Sequence, residues 1–268
     1  ALQVAGARAD CALSVGGGLG HGVEPVAIQE RGQEGVRERL PREARVQLRG
    51  VQGLAVEAVL CRWALRLQDD HPFALEEGLV VVVLHDRAPD RVGRDFLALA
   101  GGHEAQLVVI PGYNVEPEEL ESYRDEWQSH GAQNVTVLHA ASRAEAAAPQ
   151  FSEALVTATA VWLGGGQQTW FTATYGGTIV EKRLKELLQR GGVVGGTSAG
   201  ASAVTSIMMA GGRKSEPITT NGLGLFPDAI VDQHFFKRNR AARLMKLVEQ
   251  HPELIGLGID EQTAAVIE

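Results

Sequence analysis

From Gly78 onward the chain alternates short uninterrupted apolar runs with longer amphipathic stretches, and that alternation leaves few architectures open. Residues 79–84 (LVVVVL), 107–110 (LVVI), 135–138 (VTVL), 160–163 (AVWL), 193–194 and 255–259 read as strands. They are largely continuous rather than alternating, the pattern of strands covered on both faces. Between them, 116–128 carries Pro117 in a first helical turn and Leu120, Tyr123 and Trp127 on one face. Residues 178–190 carry Ile179, Val180, Leu184, Leu187 and Leu188 as an apolar stripe that stops at Gly191-Gly192. Strand, helix, strand in repeated order predicts an α/β fold, a mostly parallel sheet sandwiched by helices. Its ligand site belongs at the carboxyl ends of the strands.

The first part of the chain reads differently. Residues 1–76 hold Arg-rich runs such as 37–39 (RER) and 42–45 (REAR) and show little sustained period. Within them, 54–67 has apolar residues near helical spacing and is read as a helix. We therefore divide the chain into an N-terminal extension, 1–76, whose order the sequence leaves open, and an α/β domain, 77–268.

Composition narrows the function. A net charge of -8 leaves no basic excess to neutralise phosphates, so nucleic acid is not the expected partner. No run approaches the roughly 18 apolar residues of a membrane span. Cys11 and Cys61 have no C-x-x-C spacing and no His at ligand distance, which argues for plain thiols and against a metal site. The N-terminus lacks the basic start and apolar stretch of a secretory signal, so the expected location is cytoplasmic.

The chemistry is expected at 195–201 (GGTSAGA). Gly196-Thr197-Ser198-Ala199-Gly200 fits G-x-S-x-G between a strand ending near Val194 and a helix expected over 201–210. Glycines on either side of the Ser permit a sharp turn, so that Ser198 projects from a strained elbow and the Ala199 amide faces the same point as an oxyanion donor. A Gly-rich turn with a Ser N-cap is the competing account, while a phosphate loop would need a Gly-Lys-Ser/Thr that does not follow. The Gly run at 164–166, after the strand at 160–163, is either a flexible β-to-α turn or a functional loop that exposes further amides at a strand's carboxyl end; on the second account Gly165 and Gly166 join Ala199 as expected oxyanion donors. A nucleophilic Ser needs a base, and downstream only His234 and His251 are candidates. His251 precedes Pro252 at a helix end and reads as a solvated cation. His234, where an apolar strand end turns into a polar loop, is the better base. The orienting acid is Asp260 or Glu261, and spacing does not choose between neighbours on an extended segment.

Four motifs in order carry a resemblance: GGGQ at 164–167, GTSAGA at 196–201, DQHFFKRNRAARL at 232–244 and GLGIDEQTA at 256–264. Together they resemble the cyanophycinase family of serine peptidases, which also contains the aspartyl dipeptidase called dipeptidase E. The resemblance covers 78–268. It implies a class I glutamine-amidotransferase-like fold, usually dimeric, with Ser198 as nucleophile, His234 as general base and Glu261 as the acid. It also implies that Gln167, Asp232, Gln233, Arg238, Arg240 and Arg243 line the substrate pocket, and that no cofactor and no metal is used. The implied reaction is exopeptidase cleavage of cyanophycin, a poly-aspartate carrying arginine on each side-chain carboxyl, into β-Asp-Arg dipeptides. Hydrolysis of other acidic peptides and a catalytically silent binding protein are the alternatives. Arginine forks suit substrate carboxylates, and Asp232 would suit a substrate guanidinium.

Two stretches depart from the family pattern at strand ends near the site, Leu84-His85-Asp86-Arg87 and Gly112-Tyr113-Asn114. Family members usually continue into further strands where this chain stops at Glu268, so the domain is expected to be short at its C-terminus.

Overall fold

The structure, a computed structural model, describes residues 11–12, 46–49, 58–61, 79–84, 90–113, 115–213, 216–260 and 263–267. In chain order it begins with strands β1 (Cys11–Ala12), β2 (Val46–Arg49), β3 (Ala58–Cys61) and β4 (Leu79–Leu84). Helix α1 (Asp90–Leu99), β5 (Gln106–Ile110), α2 (Leu120–Ser129) and β6 (Asn134–Val137) follow. Next come α3 (Arg143–Ala146), α4 (Ala154–Thr157), β7 (Ala160–Leu163), α5 (Gln168–Tyr175) and α6 (Ile179–Gln189). The remainder is β8 (Val193–Thr197), α7 (Ala199–Ala203), β9 (Ile207–Arg213), β10 (Glu216–Asn221), β11 (Ala229–Gln233), α8 (Ala241–Gln250), β12 (Ile255–Ile259) and β13 (Thr263–Ile267).

The main sheet runs β2-β13-β4-β8-β7-β5-β6 among the described residues. Strands β4, β8, β7, β5 and β6 are parallel, whereas β13 lies antiparallel to both β4 and β2. This is the mostly parallel, helix-flanked sheet that the alternating runs predict. A second sheet, β1-β3-β12-β11, contains the parallel pair β11 and β12, and β9 with β10 forms a separate ribbon. No helix among the described residues is long and apolar enough to cross a membrane.

Each face of the main sheet has its own core. On one face Phe96 of α1 and Trp127 of α2 meet Trp162 of β7, with ring centroids 5.0–5.5 Å apart. On the other, Phe171, Tyr175, Val180, Leu184 and Leu187 of α5 and α6 pack with Val161, Leu163 and Val194. The aromatic trio explains the glycine at position 195 of β8. A Cβ on Gly195 would stand 2.5 Å from a Trp162 ring carbon and 2.7 Å from one of Phe96. Gly195→Val is therefore expected to destabilise by about 1–3 kcal/mol through overpacking, read as a lowered Tm in thermal unfolding. An unchanged Tm would show that the aromatic trio can give way.

Three expectations are corrected. Within 54–67, read as a helix, the described residues Ala58–Cys61 form a strand antiparallel to β12. The apolar run AVLC suits either element, and the free flank of β12 decides it. The helix expected over 201–210 stops at Ala203, and Ile207–Arg213 is strand β9. There the β-branched Thr205 bonds through its hydroxyl to the carbonyls of Ser202 and Ile207 and bridges to Phe226, a local competitor to helix. The helix that ends before His251, expected from the sequence over 238–250, starts at Ala241, after a run of turns.

Candidate active site

The register of the main sheet brings three strand ends together. Ile110 of β5 lies beside Leu163 of β7, Leu163 beside Gly196 of β8, and β8 continues into Ser198. At the parallel pair β11 and β12, Gln233 lies beside Ile259, so His234 and Asp260 leave their strands side by side. Both sets of carboxyl ends meet at one place, as sheet topology requires of a ligand site.

Ser198 sits on that edge with φ 50° and ψ -105°, outside the usual regions for a residue with a side chain. The elbow is held by contacts that only glycine allows. A Cβ on Gly196 would lie 2.6 Å from the carbonyl carbon of Gly200, and one on Gly200 would lie 2.2 Å from the Leu163 oxygen. The Gly200 amide donates to the Gly164 carbonyl at 3.1 Å, locking the elbow to the loop after β7. That loop is backed in turn by Gly112, where a Cβ would fall 1.5 Å from the Gly165 oxygen. Gly112 carries a role that the sequence reading did not assign; a glycine just past the end of an apolar strand run was its signal.

The half-buried Ser198 hydroxyl lies 3.2 Å from Nε2 of His234 and 3.4 Å from Oε1 of Gln233. It has one proton, and the shorter contact is to the imidazole. His234, also at positive φ (48°), begins a turn in which the Arg238 amide donates to its carbonyl at 3.0 Å. The buried Asp260 carboxylate caps this turn, accepting from the amides of Phe236 and Lys237, each at 3.1 Å to Oδ2. Glu261 lies outside the described residues, as do His85, Asp86, Arg87 and Asn114. His251 caps the end of α8 beside Glu253, with Nδ1 and Oε1 3.4 Å apart.

Gly165 lies against the elbow, since a Cβ there would approach Cβ of Ser198 to 3.7 Å. Ala199 opens α7, where amides lack partners within the helix. Gly166 (φ 130°) and the exposed Gln167 complete the loop that leads into α5.

Asp232 and Arg243, expected to line the substrate pocket, are paired with each other in the structure. Asp232 is fully buried, and Arg243 grips it with two prongs, Nε to Oδ2 at 2.6 Å and Nη2 to Oδ1 at 2.5 Å. A buried charge must be paired, and these two satisfy each other. Burial pushes the Asp232 carboxyl upward, against the pull of Arg243 and then Arg240. Arg240 sits at the edge of this cluster, half-buried, with Nη1 on the Gln233 carbonyl at 2.5 Å and 3.5 Å from Oδ1 of Asp232. Burial, with Arg243 next, lowers its guanidinium to about 10. Arg238 is exposed.

A family model described as peptidase family S51 matches residues 86–268. The cyanophycinase of Synechococcus elongatus is 35% identical over 211 residues, covering 74% of this chain and 65% of that protein. That of Nostoc is 34% identical over 199 residues, covering 71% and 67%. The chain thus spans about two thirds of the length of the cyanophycinases it matches. Among solved structures, a peptidase from an acI-B1 Actinobacterium shares the fold, with a TM-score of 0.58 at 21% identity over 70% of this chain and 82% of that one.

Proposed function

The chain belongs to peptidase family S51, and on that footing we propose that it is a serine-type exopeptidase acting on cyanophycin, with Ser198, His234 and Glu261 as its triad. The observation that carries this reading is the Ser198 hydroxyl, held on a strained elbow 3.2 Å from an imidazole nitrogen. In the reaction, Nε2 of His234 takes the proton as Oγ attacks the scissile carbonyl, then returns it to the leaving amine; water resolves the acyl-enzyme by the same route. For Nε2 to accept, the ring proton must sit on Nδ1, where an orienting carboxylate is useful. Asp260 spends its oxygens on two backbone amides, which favours Glu261 for that place. The amides of Gly165, Gly166 and Ala199 would serve as donors to the tetrahedral oxyanion, a role supported by the position of Gly165 against the elbow and of Ala199 at the start of α7.

With Asp232 and Arg243 paired inside, substrate recognition falls to Gln167, Gln233, Arg238 and Arg240. Arg238 and Arg240 supply positive charge suited to the carboxylate of an aspartyl residue. The homodimer implied by the motif resemblance belongs to the same reading and is checked by sedimentation. Incubation with purified insoluble cyanophycin should release β-Asp-Arg, identified by mass spectrometry. Cleavage of α-aspartyl dipeptides without release from the polymer would instead assign an acidic dipeptidase.

A further inference from the structure

The ribbon of β9 and β10 touches both halves of the site. On one side, Nε2 of Gln168, the first residue of α5 and next in chain to the 164–167 loop, donates to the Met209 carbonyl of β9 at 3.0 Å. On the other, Nη1 of Arg243 reaches the Gly212 carbonyl at 3.3 Å and that of Gly211 at 3.5 Å. The remaining nitrogens of the same guanidinium hold Asp232, two residues before His234. Arg240 adds a bond to the Gln233 carbonyl, and its own amide donates to Phe235 at 2.9 Å. His234 and Asn239 both have positive φ (48° and 50°), so the base lies in a backbone segment that surrounding contacts must hold in place.

From these contacts we infer that Arg243 is a positioning residue, tying β11 through Asp232 to β9, and β9 through Gln168 to the glycine loop, so that His234 and the loop keep one relative placement. A lysine cannot take its place, because a single ammonium lacks the fork that serves Asp232 and the β9 carbonyls together. The inference rests on the Ser198–His234 reading above, and it separates Arg243 from the arginines that meet substrate.

Two variants test it: Arg243→Lys, and Asp232→Leu/Arg243→Met, which removes both charges so that neither is left buried alone. Thermal unfolding first establishes that each is folded. Two readouts follow, the NMR signals of the His234 ring and the rate at which phenylmethylsulfonyl fluoride modifies Ser198. The ring signals should shift in both variants, and modification should slow by about 10–10²-fold, the scale of a small misplacement at a reacting centre. This reagent is too small to need the substrate pocket, so a loss of substrate binding alone would leave its rate unchanged. Unmoved ring signals with an unchanged rate in a folded variant overturn the inference. Should the double variant fail to fold, Arg243→Lys decides by the same readouts. A wild type inert to the reagent sinks the peptidase reading, while the ring signals still judge the positioning.

Discussion

Ser198→Ala and His234→Ala should each lower kcat for peptide release by about 10⁴–10⁶-fold, and the double variant should lose little more than either alone. The reason is the shared proton. In the proposed mechanism Oγ becomes a strong nucleophile only as Nε2 accepts from it across the 3.2 Å contact, so removing either partner would remove the same step. Ser198→Ala should fold, because Ser198 is half-buried at the surface of the elbow, and the elbow's shape depends on Gly196 and Gly200 rather than on the hydroxyl; for His234→Ala, thermal unfolding is measured beside turnover. Single-turnover release of β-Asp-Arg measures the loss. A Ser198→Ala protein that keeps near-full activity would remove the acyl-enzyme mechanism, and strictly additive losses would mean that the two groups act in separate steps.

The second large effect separates the neighbouring acids. Glu261→Gln should lower kcat by about 10⁴-fold, as loss of the carboxylate that orients and stabilises a catalytic imidazolium does elsewhere. Asp260→Asn should instead cost about 1–3 kcal/mol of stability, because the carboxylate that caps Phe236 and Lys237 becomes a weaker acceptor. Its kcat should follow the stability loss and stay far above that of Glu261→Gln. Chemical denaturation and turnover measured on both variants decide the matter. If Asp260→Asn shows the deeper kcat loss, the two acids exchange roles.

Much of this was legible in the sequence. Strands β4, β7 and β12 have the bounds read from their apolar runs, and α6 differs from its reading by its end residues alone. The apolar stripe and the Thr178 cap, whose hydroxyl accepts from the Val180 amide at 3.2 Å, are local signals that need no distant partner. The same holds for the elbow, where the spacing of Gly196, Ser198 and Gly200 already implies a turn that no other residues permit. The four motifs also pointed to the family whose model matches 86–268.

Other features depended on what lies across space. The AVLC run of β3 reads equally as helix or strand until the flank of β12 offers it hydrogen bonds. Ile207–Arg213 became a strand because Glu216–Asn221 folds back on it. Arg243 and Asp232 are charged residues in a motif whose resemblance to the family implies a substrate-pocket role. Their pairing appears only when the turn after β11 brings the first turn of α8 over the buried end of the strand. The sequence by itself thus determined the α/β alternation, the serine elbow and the choice of His234 as the imidazole that faces it, since periodicity and turn chemistry are properties of neighbouring residues. The tertiary structure alone decided which charges face solvent and which face each other, since burial depends on the surroundings of a group rather than on its identity.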